Sequence, residues 1–591
     1  MSNAMLRPHL CAIFLRCFFL VSTCGLGIIL TQDALSQEEE NYSTSTDSER
    51  QEGVPVGKIE GPFDLESNVF PGTKRQYWIY VPAQYEPEKA ACTLIVQDGL
   101  KRAEGWKLPI VCDNLIHAKQ MPVTIGIFVT PGEVPPAVGQ AESRYNRSFE
   151  YDSLGGDYAR FLLEELIPAV SSSYNLSTDP NDRMLAGSSS GAICAFNAAW
   201  ERPDAFRRVF SSVGTYVGLR GANELATLVR KMEPKPLRVF LQDGSRDLNI
   251  YAGDWWIANQ ALLSSLTWAG YDVNHIWGEG GHNAKHSTAI MPEALRWLWR
   301  DYPQPISVGS SPVERRIDML VPNVGWQEVS SGHEYAGAPA CNAAGELFFC
   351  DPKAGRIYRV GEDGKTRIFA DQIGNIGSMA FGPNGKLYGC RDGKHFVSFD
   401  TEAKEETLLS NCTCEAFVAM PNGIYYSDPS SRSLWYCDYA GMTKKVMANS
   451  EPVSALCPTV DHAFMHIVSA QQPFTYHAQI GTTGLLEFKQ PYGYLHMPYQ
   501  QSQSGARAIV SNFENHSLVA TKIGVQVLDQ LGRVNLILRN PSVETVNGMA
   551  FGGSGKDTLF VTAGGSVFKR ALKTQGRASF DAPVQPPKPG L

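Results

Sequence analysis

The chain has 591 residues, of which 43% are hydrophobic and 19% are charged, so it is long enough for roughly two to four domains with ordinary buried cores. Its formal net charge is −8, and neither sign forms a long run. No nucleic-acid partner is therefore expected, because the sequence lacks the basic stripe that binds phosphates.

Residues 1–36 are typical of a secretory signal peptide. Arginines flank the start of an apolar stretch over 18–30, and Ala34 and Ser36 fit the −3 and −1 positions of a cleavage site. We therefore expect a secreted or periplasmic protein with no stable membrane span after signal removal. The alternatives are a membrane anchor and a lipoprotein at Cys24.

The segment that follows, 37–55, is acidic and rich in Ser and Thr, which predicts a disordered linker. Ten cysteines lie beyond the signal without metal-ligand spacing, and the lone C-x-C at Cys412 and Cys414 is weak evidence for a metal. An exported protein can form disulfides. The sequence leaves their pairing open, and buried free thiols are the alternative.

Strand-like and helix-like segments alternate between residues 57 and 302. This alternation predicts an α/β/α sandwich, in which helices cover both faces of a parallel sheet. The predicted strands are 75–81, 93–97, 123–129, 183–186, 237–242 and 273–277, and the predicted helices are 158–172, 192–200, 255–269 and 292–299.

After residue 302 the pattern changes. A linker rich in Pro, Ser and Gly, assigned to 303–318, precedes a region of short strands without helices. A period near 40 with several strands per unit is typical of a β-propeller blade, so six copies predict an all-β six-bladed propeller over 319–575; an irregular β-sandwich is the alternative. The copies begin at Gly345, Gly385, Gly423, His462, Ser517 and Thr558.

One interval of this repeat is longer than the others. Between His462 and Ser517 the sequence predicts an inserted loop, which includes the Tyr- and Gln-rich stretch 492–503. Residues 576–591 are predicted to be a disordered tail.

The strongest local signal is the G-x-S-x-G sequence over 187–191, with Ser189 at its centre. A predicted strand precedes it and an apolar helix follows, which is the context of a nucleophile elbow. The glycines permit the sharp turn that strains the serine, and they let strand and helix approach closely. Ser189 is therefore the predicted nucleophile, and a Ser-rich loop without function is the alternative.

A serine nucleophile needs a base that takes its proton, and in this fold the chain order is Ser, then Asp or Glu, then His. His282 follows the last predicted strand and a Gly-Gly pair, which favours it over His286. Asp247 is favoured as the acid because it lies farther into its loop than Asp243, with Asp254 a third candidate. The acid would orient the imidazole and stabilise the imidazolium.

An oxyanion hole needs two backbone N–H groups aimed at the developing charge. We expect one from Ser190 and the other from Gly99 or Leu100, in the loop after strand 93–97. Three tryptophans are candidate walls of the substrate site, with a place in the core as the alternative: Trp106, Trp255 and Trp256.

Four segments together resemble the putative-esterase family, which includes enterochelin esterase, esterase D and the feruloyl and acetylxylan esterases. The segments are Gln97-Asp-Gly99, Arg147-Ser-Phe-Glu-Tyr-Asp152, the Ser189 turn and Gly280-Gly-His282. The resemblance covers about 56–302. It implies an α/β-hydrolase domain that acts, without a metal or another cofactor, on esters of sugars, aromatic acids or siderophores.

Residues 332–570 resemble the gluconolactonase and senescence-marker/regucalcin lactonases, most specifically in Phe551-Gly-Gly553 and Thr558-Leu-Phe-Val-Thr562. This resemblance implies a six-bladed propeller. It also implies a divalent metal in the central channel, held by a Glu, an Asn and an Asp, which polarises a lactone carbonyl.

The implied ligand positions fall on Gly337, Ser454 and Arg507. These residues do not form such a ligand set, and a fixed guanidinium repels a cation. We therefore expect no Ca²⁺ or other divalent metal in the propeller. Three other residues would substitute if the register is shifted: Glu334, Glu415 and Asn547.

The leading hypothesis is an exported serine esterase that acts on a carbohydrate-linked, aromatic-acid or lactone ester, with the propeller as a binding module. One alternative is a metal-dependent lactonase in the propeller. Another is a non-catalytic envelope binding protein with both sites degenerate, against which the intact elbow and His282 argue. The ester, any shared substrate of the two halves and the oligomeric state stay open.

Overall fold

The computed structural model describes residues 40–361 and 363–589, and the predicted signal peptide lies outside the described residues. Within those ranges, none of the helices is long and apolar enough to cross a bilayer. A mixed α/β domain comes first in the chain, and an all-β domain follows it.

The first domain contains twelve strands and nine α-helices in the described ranges. The strands are β1 (Lys58–Glu66), β2 (Lys74–Val81), β3 (Cys92–Gln97), β4 (Thr124–Val129), β5 (Glu133–Val134), β6 (Arg144–Tyr145), β7 (Arg183–Ser188), β8 (Arg208–Ser212), β9 (Arg238–Gly244), β10 (Asn249–Ile250), β11 (Gly253–Asp254) and β12 (Asp272–Gly278). The helices are α1 (Gly99–Gly105), α2 (Leu108–His117), α3 (Arg147–Tyr151), α4 (Asp157–Phe161), α5 (Ile167–Ser171), α6 (Ser190–Glu201), α7 (Leu225–Lys231), α8 (Trp255–Ala269) and α9 (Lys285–Trp299).

The sheet of this domain has a parallel centre and an antiparallel edge. Strands β12, β9, β8, β7, β3 and β4 lie side by side in that order and run parallel. The edge begins at β2, which pairs antiparallel with both β4 and β1. The sandwich is confirmed, but the sheet is mixed, whereas the alternation of elements predicted a parallel one.

Alternate residues of the central strands enter two different cores. On β3, Ile95 belongs to one hydrophobic cluster and Val96 to the other. On β9, Val239 and Phe240 divide in the same way. Side chains of a strand alternate between its two faces, so the sheet is covered on both sides and the carboxyl ends of its strands are held firmly in place.

The second domain consists of six four-stranded antiparallel sheets in the described part of the chain, which confirms the six-bladed propeller. Five blades are continuous in sequence: β14–β17 (Gly337–Cys341, Leu347–Asp351, Arg356–Val360, Thr366–Ala370), β18–β21 (Ile376–Phe381, Leu387–Arg391, His395–Phe399, Glu405–Ser410), β22–β25 (Phe417–Met420, Gly423–Asp428, Ser433–Asp438, Thr443–Met447), β26–β29 (Ala455–Pro458, Phe464–Val468, Phe474–Ile480, Leu486–Tyr494) and β30–β33 (Ala508–Ser511, Ser517–Thr521, Gly524–Leu528, Val534–Leu538). The sixth joins β13 (Gln327–Ser330) to β34–β36 (Val546–Gly552, Thr558–Ala563, Ser566–Ala571).

The long interval in the repeat has two structural sources. Strand β29 extends to Tyr494, beyond the usual five residues of its counterparts, and residues 495–507 then form a loop without helix or strand. We call residues 495–503 the insert loop. It lies at the hydrolase side of the propeller, where His496 Nε2 is 2.9 Å from the Nζ atom of Lys231.

The two domains are joined by a buried ion pair beside a short stretch of shared backbone pairing. Glu233 of the first domain accepts hydrogen bonds from Arg570 Nη2 at 2.6 Å and from the Arg539 N–H at 2.8 Å. Met232 pairs in parallel with Ile537 of the edge strand β33. Glu233 and Arg570 are both under 10% exposed. The buried carboxylate of one domain thus has its charged partner in the other domain.

Two segments that the composition predicts as disordered make specific contacts. Within 42–55, the Asn114 amide donates to the backbone carbonyls of Asp47 and Glu49, and Arg50 pairs with buried Asp113. In the C-terminal tail, the Val584 N–H donates to a propeller carbonyl. Both segments thus contact a folded domain, and composition does not report such contacts.

Candidate active site

The turn around Ser189 has the geometry of a nucleophile elbow. It connects β7 to α6, and Ser189 has φ 58° and ψ −124°, a strained conformation for a residue with a side chain. A Cβ atom on Gly187 would lie 1.9 Å from the Gly191 carbonyl oxygen. Only glycine fits there, because the turn brings its own two ends into contact.

The structure brings the three predicted triad residues together. His282 Nε2 lies 2.8 Å from Ser189 Oγ, and His282 Nδ1 lies 2.6 Å from Asp247 Oδ1. The Asp247 side chain is fully buried and also accepts the Leu248 N–H at 2.6 Å. Burial alone would raise the pKa of Asp247, but hydrogen bonds to His282, Asp243 and the Leu248 N–H, together with the charge of His282, hold the pKa below its usual value. Asp247 therefore remains an anion that can orient the imidazole.

Asp243, the rival acid, lies behind Asp247 and not against the histidine. Its side chain accepts the Gly244 N–H and is completely buried. Burial, together with neighbouring Asp247, raises the pKa of Asp243 to about 9. Two adjacent carboxyl groups in a buried site do not both ionise, so Asp243 is neutral at pH 7 and donates its proton towards Asp247.

The acid and histidine loops meet through a pair of glycines. A Cβ atom on Gly244 would lie 2.1 Å from the Gly280 carbonyl oxygen, so the two loops touch. The Arg246 N–H donates to that carbonyl at 3.1 Å, and Arg246 Nε donates to the Glu279 carbonyl at 2.6 Å. This contact fixes the separation between Asp247 and His282.

A second support for the histidine loop comes from the start of the described chain. The Tyr42 hydroxyl accepts hydrogen bonds from the N–H groups of Glu279 and Gly280 at 3.0 and 3.1 Å. Its ring stacks on His286 with a centroid separation of 4.2 Å, and His286 Nδ1 lies 3.2 Å from Gln242 Nε2. His286, the rival base, thus lies in this supporting layer.

The predicted oxyanion donors lie at two helix N-termini that face the same strand ends. Ser190 is the first residue of α6, and Gly99 and Leu100 are the first two of α1. Such N–H groups have no acceptor within their own helix and attract negative charge. A Cβ atom on Gly191 would lie 3.0 Å from Gln97 Cβ and 3.2 Å from Asp98 Oδ2, so the two turns are in contact.

An ion pair fixes the second of these turns. Arg147 binds Asp98 in a bidentate manner, with Nε–Oδ1 and Nη2–Oδ2 distances of 2.7 and 2.9 Å. Arg147 Nη2 also reaches the Ser188 carbonyl at 3.5 Å. One side chain thereby links the Gly99 turn to the strand that carries Ser189.

The three tryptophans have different environments. Trp106 is completely buried and donates to Ser287, so it belongs to the core, and its prediction as a substrate wall is wrong. Trp255 is also buried, with its ring edge-on to His282 at 5.9 Å and its Nε1 donating to Thr215 Oγ1 at 3.2 Å. Trp256 is partly exposed and lies against Trp277.

Two residues of the site, Thr215 and Tyr42, were not predicted from the sequence. Thr215 Oγ1 lies 3.3 Å from Ser189 Oγ, and its N–H donates to the Ser189 carbonyl. Nothing marks this threonine in the sequence, because it follows β8, a strand that the pattern did not reveal. Tyr42 lies in a segment predicted as linker. Asp254, the third candidate acid, caps α8 by accepting the Ile257 N–H.

The propeller places its three implied metal positions at equivalent places, where the first strands of three blades begin. Gly337 starts β14, Ser454 precedes β26 and Arg507 precedes β30. Ser454 Oγ already accepts the Ala470 N–H. No group of three or more His, Cys, Asp or Glu side chains suited to a metal occurs among residues 40–361 and 363–589. A glycine, a serine and an arginine do not fit a divalent ion.

The substitute positions are no better suited. Asn547 Oδ1 accepts a hydrogen bond from Thr562, and Glu334 and Glu415 are exposed in the segments that precede β14 and β22. The cysteines of the described chain are all free.

Comparison with known proteins supports the domain assignment. Residues 67–301 match the family described as "Putative esterase". This segment is an esterase-family domain. The match covers less than half of the chain and leaves the propeller outside it.

Curated relatives match the same half of the chain. The Iron(III) enterobactin esterase of Dickeya dadantii is 25% identical over 242 residues, covering 38% of this chain and 52% of that protein. The Escherichia coli K12 protein of the same name is 24% identical over 232 residues, covering 38% and 54%. The chain therefore spans about half the length of these relatives.

Solved structures resemble each half separately. A gluconolactonase from Xanthomonas campestris aligns with a TM-score of 0.38 and 15% identity, covering 43% of this chain and 91% of that one. The Shigella flexneri enterobactin esterase aligns with a TM-score of 0.32 and 20% identity, covering 42% and 61%.

Proposed function

We propose that the esterase-family domain hydrolyses a carboxylic ester through Ser189. The observation that carries this proposal is the continuous chain of short contacts from Ser189 Oγ through His282 to Asp247. A nucleophile, its base and an anion that orients the base are the parts a serine hydrolase needs.

The reaction follows from this geometry. His282 Nε2 takes the proton of Ser189 Oγ as the oxygen attacks the ester carbonyl. The N–H groups of Ser190 and of Gly99 or Leu100 donate hydrogen bonds to the resulting oxyanion. The intermediate collapses to an acyl-serine, and the alcohol leaves with the proton from His282. Water then attacks the acyl-serine with His282 as base, releasing the acid and restoring the hydroxyl of Ser189.

All steps are supplied by the chain's own groups, so the proposed ester hydrolysis needs no metal or other cofactor. The substrate we propose is a small-molecule ester with a carbohydrate or aromatic-acid portion, the class that the sequence resemblance implies. Ester hydrolysis itself is supported by curated relatives of this domain named Iron(III) enterobactin esterase. The N-terminal sequence favours export, so we place this activity outside the cytoplasm.

A short test separates this proposal from its rival in the propeller. Wild type and Ser189→Ala are assayed on aryl acetates and on gluconolactone, with and without chelator. Aryl-ester hydrolysis that disappears in Ser189→Ala and is unaffected by chelator supports the serine mechanism. Lactone hydrolysis that survives Ser189→Ala and disappears with chelator would transfer the main activity to the propeller.

A further inference from the structure

A cavity of about 260 Å³ lies where the insert loop of the propeller meets the hydrolase. We call it the interdomain cavity. Residues 149–150 and 153–158 and Phe70 line it from the hydrolase side, and Pro498, Tyr499, Gln500 and Gln501 line it from the propeller side. Neither domain alone encloses this space.

The insert loop is anchored firmly enough to form a binding surface. The buried Gln526 side chain accepts the His496 N–H at 2.8 Å and donates to the His496 carbonyl at 2.8 Å. Lys522 Nζ donates to Gln501 Oε1 at 2.5 Å. The Tyr499 ring reaches the hydrolase, where a Cβ atom on Gly221 would lie 3.7 Å from it. Anchors at several points reduce the ordering cost of binding.

The cavity is separated from the nucleophile turn by a single segment. Arg147, at the start of this segment, contacts Asp98 and the Ser188 carbonyl. Residues 153–156 of the same segment line the cavity. An ester that is bound at Ser189 and extends past this segment would place its more distant portion in the cavity.

The lining favours a neutral ring that carries hydroxyl groups. Phe149, which is 47% exposed, and Tyr499 present aromatic surface. The Gln500 and Gln501 amides, which also bond Tyr499 and Lys522, add hydrogen-bonding capacity beyond those two bonds. Ser153 Oγ is buried without a hydrogen-bond partner among the described residues. Apolar walls with a few convergent polar groups are typical of small-molecule sites.

The charges of the lining argue against an anionic ligand. None of the residues that line the cavity is basic, and two of them, Glu150 and Asp157, carry carboxylates. Glu150 is already satisfied by a buried ion pair with Arg75. Asp157 is likewise paired, with Arg160 at 3.0 Å, so the lining offers no basic side chain of its own to hold an anionic ligand.

We propose that the interdomain cavity binds a neutral saccharide ring, the carbohydrate portion of the ester that is cleaved at Ser189. This proposal rests on the proposed esterase function and adds the substrate class. It also gives the propeller a direct part in substrate selection, through Tyr499 and its neighbours on the insert loop.

Binding is tested first on the full-length Ser189→Ala protein, so that turnover plays no part. The probes are xylobiose, cellobiose, galacturonic acid and ferulic acid, measured by calorimetry. Tyr499→Ala removes one wall. Gly156→Phe fills the cavity without backbone strain, because Gly156 has φ −88° and a Cβ atom there meets nothing within 4 Å. The matched controls are Gly325→Phe, also in open space, and Phe488→Ala, which removes an aromatic ring that is 80% exposed elsewhere on the propeller.

We expect a neutral disaccharide to bind, with a Kd raised at least about tenfold by each cavity variant and unchanged in both controls. Absence of neutral-sugar binding, equal Kd values in all variants, or tighter binding of either acid would overturn the proposal.

Turnover then separates this proposal from the esterase function. In the Ser189 background, Tyr499→Ala and Gly156→Phe should lower kcat/KM for acetylated xylobiose by about tenfold and leave 4-nitrophenyl acetate hydrolysis unchanged. Equal losses of kcat/KM on both esters would overturn the proposal that the cavity binds the saccharide portion. Tyr499-dependent sugar binding in a protein that cleaves neither ester would refute the esterase function and retain the subsite.

Discussion

The hydrolase holds a complete set of catalytic side chains, whereas the propeller lacks the metal ligands that its family resemblance implies. In the hydrolase, three side chains from different loops converge at the carboxyl ends of β7, β9 and β12, with contacts of 2.8 and 2.6 Å. In the propeller, the three positions at the starts of inner strands where the family resemblance implies metal ligands hold a glycine, a serine and an arginine. The difference shows that a fold can be complete while its chemistry depends on a few loop residues.

Glycines show the same contrast. In the hydrolase, the contacts Gly187–Gly191 and Gly244–Gly280 bring together the loops that carry the triad. In the propeller, a Cβ atom on Gly345 would lie 2.0 Å from the Gly553 carbonyl oxygen, a contact between the first and the last blade. Close backbone approach serves the active site in one half and closure of the ring in the other.

The largest effect is expected for the nucleophile of the hydrolase. Ser189→Ala should lower ester hydrolysis by at least about a thousandfold, because the nucleophile is lost. Steady-state assays on an aryl acetate measure it, with Ser188→Ala as a control that changes a neighbouring buried serine. Near-normal turnover by purified Ser189→Ala would refute the serine mechanism.

The second effect separates the two acids. Asp247→Asn should lower kcat by about a thousandfold or more at neutral pH, because an amide does not hold the required imidazole tautomer. Asp243→Asn should cost far less, since an asparagine amide can still donate towards Asp247. The ratio of the two kcat values is the measurement, and a reversed ranking would move the orienting role to Asp243.

The raised pKa of Asp243 also predicts that the stability of the protein depends on pH. Its pKa is raised in the folded protein, to about 9, while an unfolded aspartate titrates near 4. Its contribution to stability is therefore fully present below about pH 4 and is lost as the pH rises towards about 9. The free energy of unfolding of Asp243→Asn, minus that of wild type, should therefore increase as the pH rises from 5 to about 8. Urea unfolding at several pH values measures this, and a constant difference would contradict it.

A smaller effect is expected at Tyr42. Tyr42→Phe removes the acceptor of two N–H groups in the histidine loop but keeps the stacking on His286. We expect kcat to fall by about threefold to tenfold, the cost of about one hydrogen bond that positions a catalytic group. Tyr251→Phe is a suitable control, since Tyr251 is 93% exposed. Equal kcat values for Tyr42→Phe and wild type would show that the Tyr42 hydroxyl does not help to position the histidine loop.

The smallest expected effect concerns the propeller. EDTA should leave ester hydrolysis by the full-length protein unchanged, and millimolar Ca²⁺ or Mg²⁺ should not bind in the channel, because Arg507 and two ligand-poor positions replace an oxygen-rich site. Calorimetry with each metal and assays with chelator test both statements. Stoichiometric binding of either ion in the channel would contradict this prediction.

Patterns that repeat within a short stretch of chain were sufficient for much of this protein. The alternation of strands and helices predicted the sandwich, the period near 40 predicted six blades, and the glycines around Ser189 predicted the elbow. Each depends on side-chain periodicity or backbone sterics within a few residues, which the sequence displays directly. The resemblance to known families supported both folds on the same segments.

Contacts between distant segments were decided only by the tertiary structure. Asp243 and Asp247 have similar local signals, and the parallel pairing of β9 with β12 determines which of them faces His282. Thr215 reaches the site from the turn after β8, a strand that was not predicted, and Tyr42 reaches it from the predicted linker. Trp106 is buried in the core. The insert loop was visible as an insertion, but its position against the hydrolase was not. Such contacts depend on how whole elements pack, and packing is a property of shape in three dimensions that no local spacing encodes.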